Sequence, residues 1–372
     1  MRILFWVPYP TKGASNRYRV EQYLPYLKKN GIKYSLHPLW SSSAYKILYK
    51  RGYFHNKVYF FILGTIFRIF DLFAIFQYDI IFIHREAYPI NGAFFETILS
   101  LLKKSIIFDF DDAIYLPASS RSNNFIEKFK RPEKVKYIIS KSKHVITGNR
   151  YLSDFALRYN HSVSIIPTPI DTDKYFPVAK NHSDGIVIGW MGSITTLDFL
   201  NTIKNTFISL SNRFPHIKFK IVGGKFSIDG LSTIISKPWS MEEEIRDLKT
   251  FDIGIMPMPD NDWTRGKCGF KAILYMNMGI PCVCSPVGMN KEIITDGING
   301  FLASTEEEWV EKLSLLIKVP ELRNRIGIAA RKTVEERYSV KVNAPKYLEV
   351  LKKVYEERYE NPSPPPLPQG ER

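Results

Sequence analysis

Three cations stand within seven residues of the stretch "RGKCGFKAILYMNMG", where Arg265, Lys267 and Lys271 surround a glycine-containing turn and the start of a helical pattern. Lys267 and Lys271 share one helical face if the helix begins early. A cation in the first turn of a helix opposes the helix dipole unless an anion lies between the cation and the backbone amides. The spacing therefore predicts a pyrophosphate site, and the alternative is that Arg265 and Lys267 are ordinary loop charges.

Glycine turns follow two other strand-like runs of the same half. The run "IGWMG" ends at Gly192, and Ser193 can cap the helix that follows. The run "KFKIVGG" ends at Gly223 and Gly224. Ligands of parallel sheets bind at the carboxyl ends of the strands, so these turns suit phosphate. The signal is weak alone, because such junctions occur in every α/β protein.

A pair of acids follows a strand-like run in the first half, "FDFDDAIYL". Strand alternation puts Asp109 and Asp111 on one side and Asp112 on the other. Asp111 and Asp112 lie at the carboxyl end of this strand, where a carboxylate can orient a hydroxyl group or act as a base. A magnesium site and a purely structural acidic cap are the alternatives.

Basic residues follow the first strand-like run in "TKGASNRYRVEQ". Gly13 supplies a turn, Ser15 or Asn16 caps a helix, and Arg17 and Arg19 project near its start. For Arg19, an exposed helix charge is the alternative.

A third set follows the run "DIIFI" and comprises His84, Arg85 and Glu86. Glu86 is a substrate-side candidate, whereas His84 suits packing better. Trp239 and Trp263 are candidates for bordering a nucleotide base, although large aromatic residues are more often part of a core.

The elements that must position these residues form βαβ units, because short β-branched or aromatic runs alternate with longer helical patterns. At 372 residues the chain suits two domains. We expect two doubly wound parallel-sheet, Rossmann-like α/β domains facing across a cleft, at 1–178 and 179–340, with the linker at 177–185. Residues 341–360 form a helix that packs back on the first domain, and 361–372 form a Pro-rich disordered tail.

Composition and charge restrict the class of protein. Apolar residues make up 45% of the chain, which excludes global disorder. The net charge of +15 lies almost wholly in residues 1–180, which hold 27 Lys and Arg against 13 Asp and Glu. A basic half fits an anionic membrane surface, a lipid-linked phosphate or nucleic acid, and a solvated basic face is the alternative.

The three cysteines, Cys268, Cys282 and Cys284, match neither a disulfide framework nor a zinc site. The start of the chain lacks the pattern of a signal peptide. We therefore expect a cytoplasmic protein with reduced cysteines.

An apolar, aromatic segment at residues 45–76 carries five cations, Lys46, Lys50, Arg51, Lys57 and Arg68. Arg68 and Asp71 lie in the middle of its longest apolar run and argue against a membrane-spanning helix. Such a segment can lie in a membrane interface, and we expect peripheral association with the inner face of the cytoplasmic membrane. Core helices explain the apolar part equally well.

The motifs together resemble glycosyltransferase family 4, also labelled glycosyl transferases group 1, whose members are nucleotide-sugar-dependent enzymes of the GT-B fold. The resemblance runs from about Arg2 to Tyr355. It includes "ASNRYRVEQYLPYLKKNGI", "FDFDDAIYLP" and "IGWMGSITT". It is densest from Asp252 to Leu302, where the strand, the cationic loop, "YMNMGIPCVCSPVG" and "EIITDGINGFL" follow in order.

The resemblance implies a donor held mainly by the C-terminal domain, an acceptor held mainly by the N-terminal domain, and transfer with retention. It implies no metal or other cofactor, because protein cations neutralise the departing diphosphate. The implied catalytic residues are Asp111, Asp112, Lys267 and Lys271. The implied donor-binding residues are Gly192, Ser193, Gly223, Gly224, Arg265, Lys267, Lys271, Gly13 and Arg17. The implied acceptor-side residues are His84, Arg85, Glu86 and Arg19.

One departure concerns the donor ribose. Many members of the family carry two glutamates around the cationic helix, and the second holds the ribose. Here Leu274 occupies the place of the second glutamate, and the first falls near Gly266. The usual basic residue after "IGWMG" is also absent, which shifts phosphate binding to Lys267, Lys271 and Arg17. The donor therefore cannot be inherited from the resemblance.

We interpret the chain as a metal-independent glycosyltransferase that moves a sugar from a nucleotide donor to a glycan or lipid-linked acceptor in surface polysaccharide biosynthesis. A non-catalytic sugar-nucleotide binding protein of the same fold is the alternative that Leu274 motivates. A nucleic-acid binder rests on charge alone, and we expect no nucleic acid partner.

Overall fold

The structure, a computed structural model, describes residues 1–48, 50, 52–89, 92–116, 131, 133–177 and 185–360. Two six-stranded parallel sheets organise the chain. The first sheet has the strand order β2-β1-β3-β4-β5-β6. Its strands are β1 (Arg2–Val7), β2 (Lys33–Pro38), β3 (Ile80–His84), β4 (Ser105–Phe110), β5 (His144–Thr147) and β6 (Val163–Ile165).

The second sheet has the strand order β12-β11-β10-β7-β8-β9. Its strands are β7 (Val187–Met191), β8 (Lys218–Val222), β9 (Ile234–Lys237), β10 (Ile253–Met256), β11 (Cys282–Cys284) and β12 (Phe301–Leu302). The central strands of both sheets are buried along most of their length, which explains their nearly continuous apolar sequences. This arrangement confirms the two parallel-sheet units expected from the sequence. The exact domain boundaries stay predictions, and most of the expected linker lies outside the described residues.

Helices cover both sheets. The helices around the first sheet are α1 (Ala14–Arg19), α2 (Leu24–Lys29), α3 (Ser42–Leu48), α4 (Phe54–Ala74), α5 (Phe94–Leu101), α6 (Lys134–Lys141) and α7 (Arg150–Ala156). The helices that follow β7 are α8 (Lys204–Arg213), α9 (Glu244–Leu248), α10 (Asp262–Arg265), α11 (Phe270–Asn277), α12 (Asn290–Ile293), α13 (Glu306–Lys318), α14 (Pro320–Arg337) and α15 (Val340–Glu360).

The last helix, α15, returns to the first sheet, as the sequence predicted. Its Tyr347 is fully buried and stacks on Tyr23 with ring centroids 4.2 Å apart. The same ring lies 5.5 Å from that of Phe82 on β3. The last helix of the chain therefore packs against the first unit, close to the residues that begin the chain. The Pro-rich tail predicted at 361–372 lies outside the described residues.

The two units meet where the carboxyl ends of their central strands face each other. Cys268, which precedes α11, points its Sγ at the carbonyl oxygen of Asp111, 3.1 Å away. The Nδ2 atom of Asn149 donates to the carbonyl oxygens of Gly266 and Lys267 at 3.0 and 3.1 Å. These contacts hold the cationic loop of the second unit directly against the acidic edge of the first.

Candidate active site

The cationic loop is built by two short helices after β10. Asn261 caps α10 through a capping box with Thr264. Gly269, in the left-handed region at φ 64°, starts α11 at Phe270. Lys267 therefore precedes the helix and only Lys271 lies in its first turn. The condition for a shared helical face is not met, but the turn between α10 and α11 still brings both side chains to the same place.

Lys271 lies against the glycine turns of the neighbouring strands. Its Nζ is 3.3 Å from Thr196 Oγ1 and 5.5 Å from the Trp190 ring centroid. A Cβ added at Gly192 would meet Lys271 Cε at 2.5 Å, and one added at Gly223 would meet the carbonyl oxygen of Gly192 at 1.9 Å. Glycine at position 192 makes room for the Lys271 side chain, and glycine at position 223 lets the turn after β8 approach the backbone of Gly192.

The pKa of Lys271 falls to about 7, mainly because burial disfavours its charged form and further because Lys267 lies nearby. Within the described part of the chain, Lys271 Nζ donates one hydrogen bond, to the Thr196 hydroxyl. The charge of Asp112 offsets part of this lowering of the pKa, but Asp112 pairs with Lys267, and no carboxylate among the described residues forms an ion pair with Lys271. The ammonium group gains most from a ligand that brings negative charge.

Unlike Lys271, both Lys267 and Arg265 form ion pairs with carboxylates. Lys267 Nζ lies 3.3 Å from Asp112 Oδ1, across the gap between the units, and 3.7 Å from the Trp263 ring centroid. Arg265 is half-exposed and pairs with Asp260 at 2.7 Å. Local carboxylates thus neutralise Arg265, and Lys267 is the second cation at the gap.

The expected turn residues differ in how they contribute. Ser193 is exposed and bonds Thr195 at 2.7 Å instead of capping the following 3-10 helix, Ile194–Ile203. A Cβ at Gly224 would meet Leu197 Cδ2 at 2.9 Å, so this glycine makes room for packing. A Cβ at Gly13 would meet Tyr9 Cβ at 2.5 Å, as a tight turn after β1 requires.

Arg85 holds the two acids of the first unit. Its Nη2 lies 2.8 Å from Asp111 Oδ1 and 2.6 Å from Asp112 Oδ2. Arg85 has φ 64°, a conformation that non-glycine residues rarely adopt and that is found often at functional sites. Burial tends to raise the pKa of Asp111, but the charge of Arg85 outweighs it and the pKa is lowered. Asp111 is therefore ionised at neutral pH.

A buried polar chain ends on Asp111. Asp109 forms an ion pair with Arg19, and its Oδ2 lies 2.6 Å from His84 Nδ1. His84 Nε2 is 2.7 Å from Ser15 Oγ, which lies 3.2 Å from both carboxylate oxygens of Asp111. The ion pair with Arg19 and the bond to His84 lower the pKa of Asp109 in spite of its burial.

The contacts of this buried polar chain show that three expectations from the sequence were wrong. Arg19 is fully buried and neutralises Asp109, so it does not contact an acceptor. His84 is not an acceptor-side residue, because its side chain is fully buried and both ring nitrogens are bonded to Ser15 and Asp109. Ser15 does not cap α1, whose N-cap is Gly13 without a side-chain bond. Alternation along β4 identified the side on which Asp109 lies but not its buried partner.

Arg17 lies elsewhere than expected. It pairs with Glu244 of α9, 2.9 Å away across the gap. Glu244 also accepts from Tyr175 at 2.6 Å, Tyr18 at 2.9 Å and Trp239 Nε1 at 2.8 Å. In this structure Arg17 joins the two units instead of facing the lysines. Its Nε and Nη1 atoms are buried and have no hydrogen-bond partner among the described residues.

Three other candidates also have partners of their own. Glu86 pairs with Lys134 at 2.7 Å, and its side chain is one-quarter exposed. Trp239 is occupied by Glu244, and Trp263 lies under Lys267. Sequence reasoning missed Glu244, Asn149 and Cys268 because their partners are distant in the chain. The only signal for Asn149 was its position as a helix cap after a strand.

The structure explains why a glutamate is absent near Gly266, before the cationic helix. A Cβ at Gly266 would lie 2.7 Å from Ala113 Cβ of the other unit, so no side chain fits there without a shift. Leu274 is buried within α11. In the described part of the chain, no group of three or more His, Cys, Asp or Glu side chains is placed to hold a metal ion.

Comparison with known sequences addresses this same region. Residues 248–333 match the family described as glycosyl transferases group 1. This segment holds β10, the cationic loop and α11, so the resemblance drawn from the sequence is confirmed where it is densest. A 73-residue stretch is also 34% identical to a trehalose synthase of Pyrococcus horikoshii. That stretch spans 20% of this chain and 18% of the relative's length.

Solved structures resemble nearly the whole chain. A glycosyltransferase from Rickettsia africae matches with a TM-score of 0.66 at 16% identity, over 95% of this chain and 98% of the other. Anabaena HepE in complex with UDP and glucose matches at 0.67 and 14%, over 95% and 100%. Sucrose-phosphate synthase from Thermosynechococcus elongatus matches at 0.68 and 13%, over 96% and 99%. These likenesses show the fold, which is GT-B.

Proposed function

We propose that this protein is a glycosyltransferase that moves a sugar from a nucleoside diphosphate donor to a glycan or lipid-linked acceptor. The observation that carries the proposal is the meeting of Lys271 and Lys267, beside the Gly192 turn, with Asp111 and Asp112 of the other unit. The match of residues 248–333 to a glycosyltransferase family supports it. So does the likeness to a structure that contains UDP and glucose.

The donor diphosphate lies, in this proposal, against Lys271 and the backbone of Gly192 and Gly223. Negative charge builds on the departing phosphate as the bond to the sugar breaks, and a preorganised cation stabilises that charge. Lys267 leaves Asp112 and joins Lys271 on the phosphate. In this proposal the two ammonium groups carry out the neutralisation without a metal.

Asp111 orients the acceptor hydroxyl. It is held by Arg85 and by Ser15 and remains ionised, so it can accept a hydrogen bond from an incoming hydroxyl group. Asp112 has a different task, which is to hold Lys267 in place until the donor arrives. Transfer with retention and a role in surface polysaccharide synthesis in the cytoplasm complete the proposal.

Leu274 favours a second candidate, a protein that binds a sugar nucleotide without turning it over. Its buried aliphatic side chain cannot accept hydrogen bonds from the ribose hydroxyls. Ribose recognition must then come from other residues, or be weak.

The deciding experiment is incubation with a panel of nucleotide sugars, with and without a chelator. Hydrolysis or transfer that a chelator leaves unchanged supports the metal-independent enzyme. Binding without turnover supports the second candidate. Salt-sensitive binding of RNA or DNA, with no affinity for nucleotide sugars, contradicts both.

A further inference from the structure

Helix α4, with the 3-10 turn Ile75–Gln77, has an apolar outer face that no other described residue covers. Phe67, Phe70, Phe73 and Phe76 expose 64–76% of their surface. At about 150–250 Å² for a whole aromatic side chain, these four expose roughly 400–700 Å². The largest apolar patch of a typical soluble monomer is about 300–600 Å². The remaining exposed apolar side chains of the face are Phe54, Val58, Tyr59, Ile62, Ile66 and Ile69.

The inner stripe of the same helix is polar. Arg68 is almost fully buried, lies 3.2 Å from Asp71, and stacks its guanidinium 4.6 Å from the Trp6 ring centroid. Asp71 also bonds His37 at 2.6 Å. A Cβ at Gly64 would meet the carbonyl oxygen of Leu39 at 2.4 Å. Both charges in the middle of the helix point inward, as do Phe60 and Phe61, while the outer face is apolar, the reverse of a helix that faces water.

These contacts determine how the helix can meet a membrane. By length and composition, Phe54–Gln77 could cross one, with a mean hydropathy of 2.0. Crossing would pull Arg68 and Asp71 away from Trp6 and His37 and expose both charges to lipid. A helix that keeps its inner contacts can only lie flat, with its outer face buried in the boundary between headgroups and acyl chains.

The rim of this face is positively charged. Lys46 and Lys50 are exposed beside its start, and Lys103 is exposed after α5. The carboxylates within α3, α4 and α5, all fully described helices, are Asp71 and Glu96, and both are buried. The apolar surface continues onto α5 and the residue after it through the exposed Phe94, Leu101 and Leu102, and Lys104 Nζ lies 5.0 Å from the Phe76 ring centroid.

We propose that this face, made by α4, the turn to Gln77 and the outer side of α5, docks on an anionic lipid bilayer. Inserted aromatic rings and a cationic rim are what such a surface requires. A symmetric contact between two copies would bring the same cationic rims together, so a second copy fits less well. The docking does not depend on the proposed sugar transfer, because no residue of the face belongs to the cleft.

The test is cosedimentation with phosphatidylcholine vesicles that contain or lack phosphatidylglycerol. We expect the wild type to bind the anionic vesicles and Phe70→Asp/Phe73→Asp to bind at least about tenfold less. Ile298→Asp/Ile328→Asp is the matched control, since those side chains are 61% and 64% exposed elsewhere. The control should bind like the wild type, and both variants should retain hydrolysis of any soluble donor that the wild type accepts.

A labelling experiment covers the case in which the double variant misfolds. The three native cysteines are buried, so Phe73→Cys can carry a polarity-sensitive fluorophore, with Ile328→Cys as control. Only the label at 73 should shift to the blue with anionic vesicles. Lack of wild-type binding, equal binding by the Phe variant, or an unshifted label overturns the proposal. A dimer that the Phe variant dissociates, without vesicle binding, assigns the face to a second copy instead.

Discussion

The two sides of the cleft differ in how their charged side chains are paired. Those of the first unit form the first, paired wall, and those of the second unit form the second, unpaired wall. On the first wall, Arg19, Asp109, Arg85 and Asp111 form a chain in which each charge faces an opposite one at hydrogen-bond distance. On the second wall, Lys271 faces a hydroxyl group and a second cation, and its pKa falls to about 7. The first wall is complete without a ligand, whereas the second lacks an anion. Removal of a charge from the buried pair of Arg19 and Asp109 should therefore cost stability, and removal of the charge of Lys271 should cost activity.

The largest expected effect is on the paired wall. Asp109→Asn leaves Arg19 buried without a neutralising charge, which should lower the free energy of unfolding by about 3–5 kcal/mol. Urea denaturation followed by circular dichroism measures the loss. Asp260→Asn, at the exposed pair with Arg265, is the control and should cost at most about 1 kcal/mol. Equal costs for the two variants would mean that the buried chain is not structural.

On the unpaired wall, Lys271→Ala should lower turnover by roughly 10²-fold or more while the fold survives, because a charge-stabilising group for the departing phosphate is lost. Steady-state kinetics with the accepted donor measure it. Lys291→Ala, an exposed lysine in the same family segment, should change turnover little. Turnover at the wild-type rate in Lys271→Ala would remove this residue from the site.

Substitution of Asp111 and of Asp112 should have different kinetic effects, because the two acids have different roles. Asp111→Asn weakens the orientation of the acceptor hydroxyl and should lower kcat by about 10²-fold. Asp112→Asn frees Lys267 for phosphate, so it should lower kcat by less than about tenfold and lower the KM for the donor. Measurement of kcat and of the KM for the donor in both variants checks this. The reverse order of effects would make Asp112 the orienting acid.

The last expected effect has the opposite sign and is a gain in stability. A folded-state pKa of about 7 for Lys271 means that the unfolded chain binds more protons between about pH 7 and the ordinary lysine pKa. The destabilisation by Lys271 is therefore full below pH 7 and diminishes as the pH rises. Without ligand, Lys271→Met should melt above the wild type near pH 6.5, and the difference should narrow towards pH 10. A constant difference across that range would contradict the lowered pKa.

Much of the fold followed from the sequence because parallel strands buried on both faces read as continuous apolar runs. The two-sheet architecture, the return of α15 and the edge that holds the acids and lysines were all predictable. Pairing was not. Arg17 bonds Glu244, 227 positions away, and Arg19 neutralises Asp109, 90 positions away. No local pattern in the sequence predicts that both neighbouring arginines are buried, or which carboxylate each of them meets.

The apolar helix shows the same limit. Periodicity indicates that α4 has two faces, but it cannot say which one meets the domain. Only the contacts of Arg68 with Trp6 and Asp71 show that the charged side points inward. The sequence left core packing and membrane contact equally open for this segment.

The central claim is that the unpaired wall, with Lys271, binds the diphosphate of a nucleotide. Calorimetric titration with UDP, GDP and ADP at pH 8, in buffers of different ionisation enthalpy, tests it most directly. At this pH Lys271 is mostly neutral, and a bound diphosphate should restore its charge. We predict that at least one nucleotide binds with uptake of up to about one proton, and that Lys271→Ala abolishes the uptake. Absence of binding by all three, or binding with the same proton balance in both proteins, would contradict the account.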